Sequence, residues 1–76
     1  MGAVLIVDDM EDLRFSLTSI VKKEGCTVSS AADGAEAIDI TASSVIDVVF
    51  LDIGLPAIDS ISLIGPLKEI SPDLDI

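Results

Sequence analysis

The sequence predicts an α/β domain organised on a parallel sheet, and three features carry that expectation. Val48-Val49-Phe50-Leu51 is an unbroken apolar run, β-branched and aromatic in character. Such a run reads as a strand buried on both faces, the habit of a parallel sheet under helices. Ala3-Val4-Leu5-Ile6-Val7 is a second run of the same kind. Between and after these runs the apolar spacing becomes helical. The order is therefore β-α-β-α-β-α-(β), which yields parallel strands joined by right-handed crossovers.

Taken along the chain, the first strand ends at two carboxylates, Asp8 and Asp9. Leu13, Leu17, Ile20 and Val21 then recur at i, i+4, i+7 and i+8, one face of an amphipathic helix from about Glu11 to Glu24. Acids at its start and Lys22-Lys23 near its end suit the helix dipole, and Gly25 is a natural stop. Phe15 falls on the far side of that stripe and reads as exposed. The stretch from Cys26 to Ala31 alternates weakly and is polar, as an edge strand is. Asp33, with Glu36 three residues later, opens a second helix over about 34 to 42 through a capping-box variant. Its apolar stripe, Ala35, Ile38 and Ala42, is slender.

The third strand begins near Asp47 and runs out at Asp52-Ile53-Gly54-Leu55-Pro56, where Gly and Pro turn the chain. Asp59 or Ser60 caps a third helix carrying Ile61, Ile64, Leu67 and Ile70. Gly65-Pro66 lies inside it, and an interior proline costs a regular helix about 3 kcal/mol. A kink, or a start later than the pattern suggests, is the expected consequence. Ser71-Pro72-Asp73 closes the helix, and Leu74-Asp75-Ile76 reads as the opening of another strand.

Composition bounds the function. Seventy-six residues form one small domain, and chains of this size bury about 60% of their extended surface. Fourteen acids against four bases give a net charge of −10. That balance argues against direct nucleic-acid contact by this segment, which needs a basic footprint, and against an anionic membrane surface. The lone cysteine, Cys26, has neither a second Cys nor a His to work with, so it reads as a packing residue in a reducing compartment. No apolar run approaches the length of a membrane span, and the first residues lack a charged leader; the expected location is the cytoplasm.

The chemistry sits at the strand ends. In open α/β sheets ligands bind beyond the carboxyl ends of the strands. If the first and third strands are parallel neighbours, roughly 4.8 Å apart, then Asp8, Asp9 and Asp52 crowd one sheet edge. Carboxylates that close repel and demand either a proton or a cation. Hard oxygen ligands that leave room for water and phosphate suit Mg²⁺. Any one of these aspartates could simply end its strand at the water boundary; the pair and the single acid together point to a site.

Taken together, Val7-Asp8-Asp9, Ala32-Asp33-Gly34, and Asp52-Ile53-Gly54-Leu55-Pro56 with Asp59 following resemble the receiver domain of bacterial two-component response regulators. The resemblance covers essentially the whole chain. It implies a flavodoxin-like sheet in order 2-1-3-4-5, of which residues 1–76 hold the first three strands and a stub of the fourth. It implies Asp52 as phospho-acceptor, taking a phosphoryl group from a partner histidine kinase. Mg²⁺ would be held directly by Asp9, largely through water by Asp8, with Asp52 also at the metal and the backbone carbonyl of Gly54 as a further ligand, its missing Cβ letting the backbone approach closely. Ser60 and Asp75 depart mildly from the family, which usually has Gly and commonly Pro there.

On this reading the chain is a partial receiver domain, without the rest of strand four, helix four, strand five and helix five. The family's Ser/Thr after strand four, its Lys after strand five and the aromatic switch residue of strand five lie outside it. The third strand then has an open edge, and the expectation is self-association through it. Two other functions compete. One is an interaction or oligomerisation module that keeps the fold without phosphate chemistry. The other is an Mg²⁺-dependent phosphohydrolase with an aspartyl nucleophile, disfavoured because Gly54 stands where such an enzyme wants a second acid.

Overall fold

In the computed structural model, residues 2–52 and 60–76 are described, with Ser60 and Ile61 described in backbone only. Six elements follow one another: β1 (Ala3–Val7), α1 (Glu11–Lys23), β2 (Thr27–Ala31), α2 (Gly34–Ser43), β3 (Val48–Leu51) and α3 (Ser60–Ile70). The strands form one parallel sheet in the order β2-β1-β3, as expected.

β1 is the strand buried on both faces. Val4, Leu5, Ile6 and Val7 are all buried, Leu5 and Ile6 completely. The third strand, expected to share that status, does not: Val49 is buried but Phe50 is 47% exposed. The reason is the position of the helices. α2 and α3 pack on one face, where Leu5, Val7, Ala31 and Val49 meet Ala37, Ile46, Leu63, Leu67 and Leu74. α1 packs on the other face over β1 and β2, and among the described residues no helix packs comparably on β3 there.

α1 runs very nearly as predicted and ends on Gly25, which takes the left-handed φ of 86° that a Cβ would penalise. Leu17 and Val21 of the expected stripe are half-buried, whereas Leu13 and Ile20 stay exposed, and Phe15 is exposed as anticipated. β2 is an edge strand; Cys26 lies just before it, half-buried. At the start of α2 the Asp33 carboxylate accepts from Glu36 N (2.8 Å), and Glu36 Oε1 accepts from Ala32 N (3.3 Å), so the capping-box variant is present.

Two helix faces differ from expectation. α2 buries Gly34, Ala37 and Thr41 instead of Ala35, Ile38 and Ala42; the spacing is the predicted one, rotated by one residue, with Ile38 half-buried at its border. Thr41 is tolerated there because its hydroxyl donates to Ala37 O at 2.8 Å. α3 buries Leu63 and Leu67, while Ile64 and Ile70 are 37% and 39% exposed. Positions three apart drift by about 60° per step on a helix of 3.6 residues per turn, so a stripe from 61 to 70 in threes cannot keep to one face. The later start considered for α3 is not found: the helix begins at Ser60 and includes Pro66. Asp59 and the turn through Ile53, Gly54, Leu55 and Pro56 lie outside the described residues, as does the Ile61 side chain.

Past α3 the predicted fourth strand is present as a single parallel bridge, Val48 with Asp75. Val49 N donates to Asp75 O (2.8 Å) and Asp75 N to Asp47 O (3.0 Å), while Leu74 enters the core. At the foot of the sheet Asp47 pins β1 to β3, its carboxylate accepting from Ala3 N and its own N–H donating to Ala3 O, both at 2.8 Å.

Pro66 is exposed, so its side chain contributes little packing, and it removes one helix donor. Pro66→Ala is expected to raise unfolding free energy by about 2 kcal/mol, measured by urea denaturation; an unchanged midpoint would mean the helix already accommodates the ring without cost.

Candidate metal and phosphoryl site

The register between β1 and β3 builds the site. Val7 pairs with Leu51, and Asp52 N donates to Val7 O at 3.0 Å, so the residue after each strand emerges at the same edge. Asp8, Asp9 and Asp52 there each offer a carboxylate oxygen, and these atoms all lie within 4.8 Å of one another. All three sequence-selected carboxylates are thus brought together. Gly54, the fourth expected ligand, lies outside the described residues.

The three acids differ in setting. Asp8 is buried at 6% exposure, Asp52 is half-buried and Asp9 is exposed. Asp8 is held at every polar group. Its N–H donates to Ala31 O (3.1 Å), its Oδ1 accepts from Met10 N (2.9 Å), and its carbonyl accepts from Arg14 Nη1 (2.8 Å). Met10 occupies the N-cap position of α1 without a capping side chain, so the Asp8 carboxylate takes over part of that role from two residues back. The positive end of the α1 dipole faces the same acids and eases their crowding.

Arg14 was not singled out by the sequence. Hydrophobic spacing is blind to a side chain that reaches back six residues; the available signal was the chain's lone arginine in the opening turns of the helix that follows an acidic pair.

The donor set fits a hard divalent cation. It is all oxygen, anionic, and compact enough for Mg²⁺, which takes ligands at about 2.1 Å and retains several waters. A spread of up to 4.8 Å suits a mixture of direct and water-mediated ligation. Beside the acids an open groove of about 250 Å³ is lined by apolar Ile6, Leu13, Leu17 and Phe50.

Known proteins resemble this chain in sequence and in fold. Residues 4–76 match the family model for the response regulator receiver domain. The chain is 34% identical to sporulation initiation phosphotransferase F of Bacillus subtilis over 73 residues, 96% of this chain and 59% of that protein. Among solved structures it is similar to a response regulator from Burkholderia pseudomallei described with a phosphorylated aspartic acid, calcium ion and citrate. That likeness has a TM-score of 0.92 and 26% identity, over 97% of this chain and 44% of the other. It is also similar to TrrA from Thermotoga maritima, solved with Mg²⁺-BeF and, separately, with histidine kinase ThkA. Here the TM-score is 0.87 and the identity 31%, over 97% of this chain and 64% of TrrA. The chain therefore spans less than two thirds of the length of each.

The cap and the charge of Asp8 can be separated. Without divalent cations, Asp8→Asn keeps an acceptor for Met10 N and removes one of the crowded charges, whereas Asp8→Ala removes both. Asn is expected to be more stable than Ala by about 1 kcal/mol, read from urea unfolding in chelator; equal stabilities would remove the capping role.

Proposed function

The chain belongs to the response regulator receiver domain family, and from that membership we propose that Asp52 accepts a phosphoryl group from a partner histidine kinase, with Mg²⁺ held by Asp8, Asp9 and Asp52. The observation that carries this reading is the convergence of the three carboxylates within 4.8 Å where β1 and β3 end. Neighbouring structures with a phosphorylated aspartic acid, with Mg²⁺-BeF and with a kinase support it.

The transfer forms a bond between an Asp52 carboxylate oxygen and phosphorus as the phosphorus–nitrogen bond of a phosphohistidine breaks, and the imidazole leaves. An anionic nucleophile and an anionic phosphoryl group repel, and a bound Mg²⁺ supplies the positive charge that offsets this repulsion. The chain's part is positioning. Asp8, fixed by three hydrogen bonds, is the rigid wall of the site, and the exposed Asp9 would be the solvent-facing ligand. Asp52 stands between burial and solvent, where a donor reaches it. Gly54, outside the described residues, would contribute its carbonyl.

In this reading the domain is a signalling acceptor that transfers phosphate only to itself, in the cytoplasm, as one part of a receiver domain. Among the described residues no helix is long and apolar enough to cross a membrane. The net charge of −10 makes a protein partner better suited to this surface than nucleic acid.

Treatment with acetyl phosphate and Mg²⁺ should add the mass of one phosphoryl group, detected by intact mass spectrometry and lost in Asp52→Asn. An adduct surviving that substitution would remove Asp52 as acceptor. Asp9→Ala should weaken Mg²⁺ binding, and Glu36→Ala, at the α2 cap, should not.

Self-association is the second part of the proposal. Its support is the apolar surface where Leu13 (44%) and Phe50 (47%) line one groove, with Ile20 (59%) also exposed on α1, and the outer edge of β3, which among the described residues Asp75 bridges at one end. Sedimentation at micromolar concentration should show a species heavier than the monomer; a clean monomer with a cooperative melt would end this part.

A further inference from the structure

We infer that Arg14 is a positioning residue for the cation site, setting where the Asp9 carboxylate stands by holding the peptide that joins Asp8 to Asp9. This rests on the Mg²⁺ reading given above and extends it to a residue outside the acidic cluster.

Asp9 needs such help. It is exposed, and among the described residues its carboxylate accepts no hydrogen bond. Among the described residues no partner restrains that side chain, so what the protein fixes of it is the Cα–Cβ direction, set by the backbone. The Asp8 carbonyl that accepts from Arg14 Nη1 at 2.8 Å belongs to the same rigid plane as the Asp9 N–H and Cα. Fixing that oxygen fixes the rotation of the plane; the next plane is held by Met10 N, which donates to Asp8 Oδ1 at 2.9 Å, and the two planes together set the direction in which the Asp9 Cβ leaves the chain. The other end of the Asp8 residue is already tied, its N–H to Ala31 O. Arg14 thus supplies the constraint on the side of Asp9.

The donor suits the task. The bond is charge-assisted, and the guanidinium is a planar, rigid fork of donors. Arg14 is half-buried and is itself anchored through its N–H to Met10 O at 3.0 Å, in the first turn of α1. The hydrogen bond therefore ties the acidic pair to a helix. It also brings a positive charge to the loop, whereas Lys22 and Lys23 stand at the far end of α1. Groups that orient metal ligands are typically worth about 10- to 100-fold in metal affinity.

A purely structural role would make Arg14 a strut of the β1–α1 turn, felt in stability and not in affinity. The discriminating measurement is Mn²⁺ binding, by isothermal titration and by electron paramagnetic resonance, to the chain and its R14M, R14K and R14Q variants, alongside unfolding in chelator. Affinity should fall about tenfold or more in R14M and return largely in R14K, with the folded far-UV spectrum kept. R14M binding Mn²⁺ as tightly as the parent overturns the inference. If R14M does not fold, affinity falling in the order parent, R14K, R14Q supports it, and R14Q equal to the parent overturns it. Absence of Mn²⁺ binding by the parent chain at millimolar concentration would instead overturn the Mg²⁺ reading on which the inference stands.

Discussion

The register of β1 against β3 decides where everything else in this domain can be. Val7 lies opposite Leu51, so the first residues beyond both strands leave the sheet together, and Asp52 N closes the ladder on Val7 O. A slip of one residue would move every side chain of β3 to the other face. Val49 would leave the core formed with α2 and α3, and Phe50 would be driven into it. The hydrophobic pattern of four residues thus holds the acidic cluster in place, although none of those residues touches chemistry. Asp47 adds a second restraint at the opposite end, clasping Ala3 through both its carboxylate and its N–H.

Magnitudes show why such a cluster survives folding. Two carboxylates about 5 Å apart repel by roughly 1 kcal/mol in water and about 3 kcal/mol at the effective dielectric of a protein surface. Burying a Val, Leu or Ile side chain returns about 1.5–3 kcal/mol, and Val4, Leu5, Ile6 and Val7 are all buried. The burial of one strand is therefore of the same order as the mutual repulsion of all three acids at a protein surface. The α1 dipole and the hydrogen bond from Met10 N reduce the cost further on the Asp8 side. What repulsion is left resides in the folded state, so a cation that binds the folded site and not the unfolded chain also stabilises the fold.

How much of this could be read from residues alone follows the same physics. β1, the alternation of elements and the meeting of Asp8, Asp9 and Asp52 were legible because long apolar runs and the charges that end them have few other readings, whereas the sheet order came with the resemblance to receiver domains. The buried faces of α2 and α3 were not. In α2 the core side is made of Gly34, Ala37 and Thr41, residues too small or too polar to stand out, and the Thr41 hydroxyl hides its polarity within its own helix. In α3 isoleucines at intervals of three mimicked a stripe, while Leu63 and Leu67, four apart, form the real one. The exposure of Phe50 depends on which strands α1 covers, a tertiary fact that no local pattern records. Arg14 was invisible for the same reason, since its partner is a backbone oxygen.

The unequal covering of the sheet bears directly on what the strand ends can do. On the α2–α3 side the sheet is sealed by a continuous core; on the α1 side it stays open around Leu13 and Phe50. The acids inherit this division. Asp8 comes out of a strand buried on both faces and is tied by three hydrogen bonds, Asp9 stands in solvent, and Asp52 is half-covered. A phosphoryl acceptor needs that inequality. A fully buried set of carboxylates would exclude the large, charged donor, and a fully exposed set would have no fixed geometry to offer a metal. By anchoring one acid in the sheet, leaving the second in solvent on a restrained backbone and half-covering the third, the fold keeps the site both ordered and open.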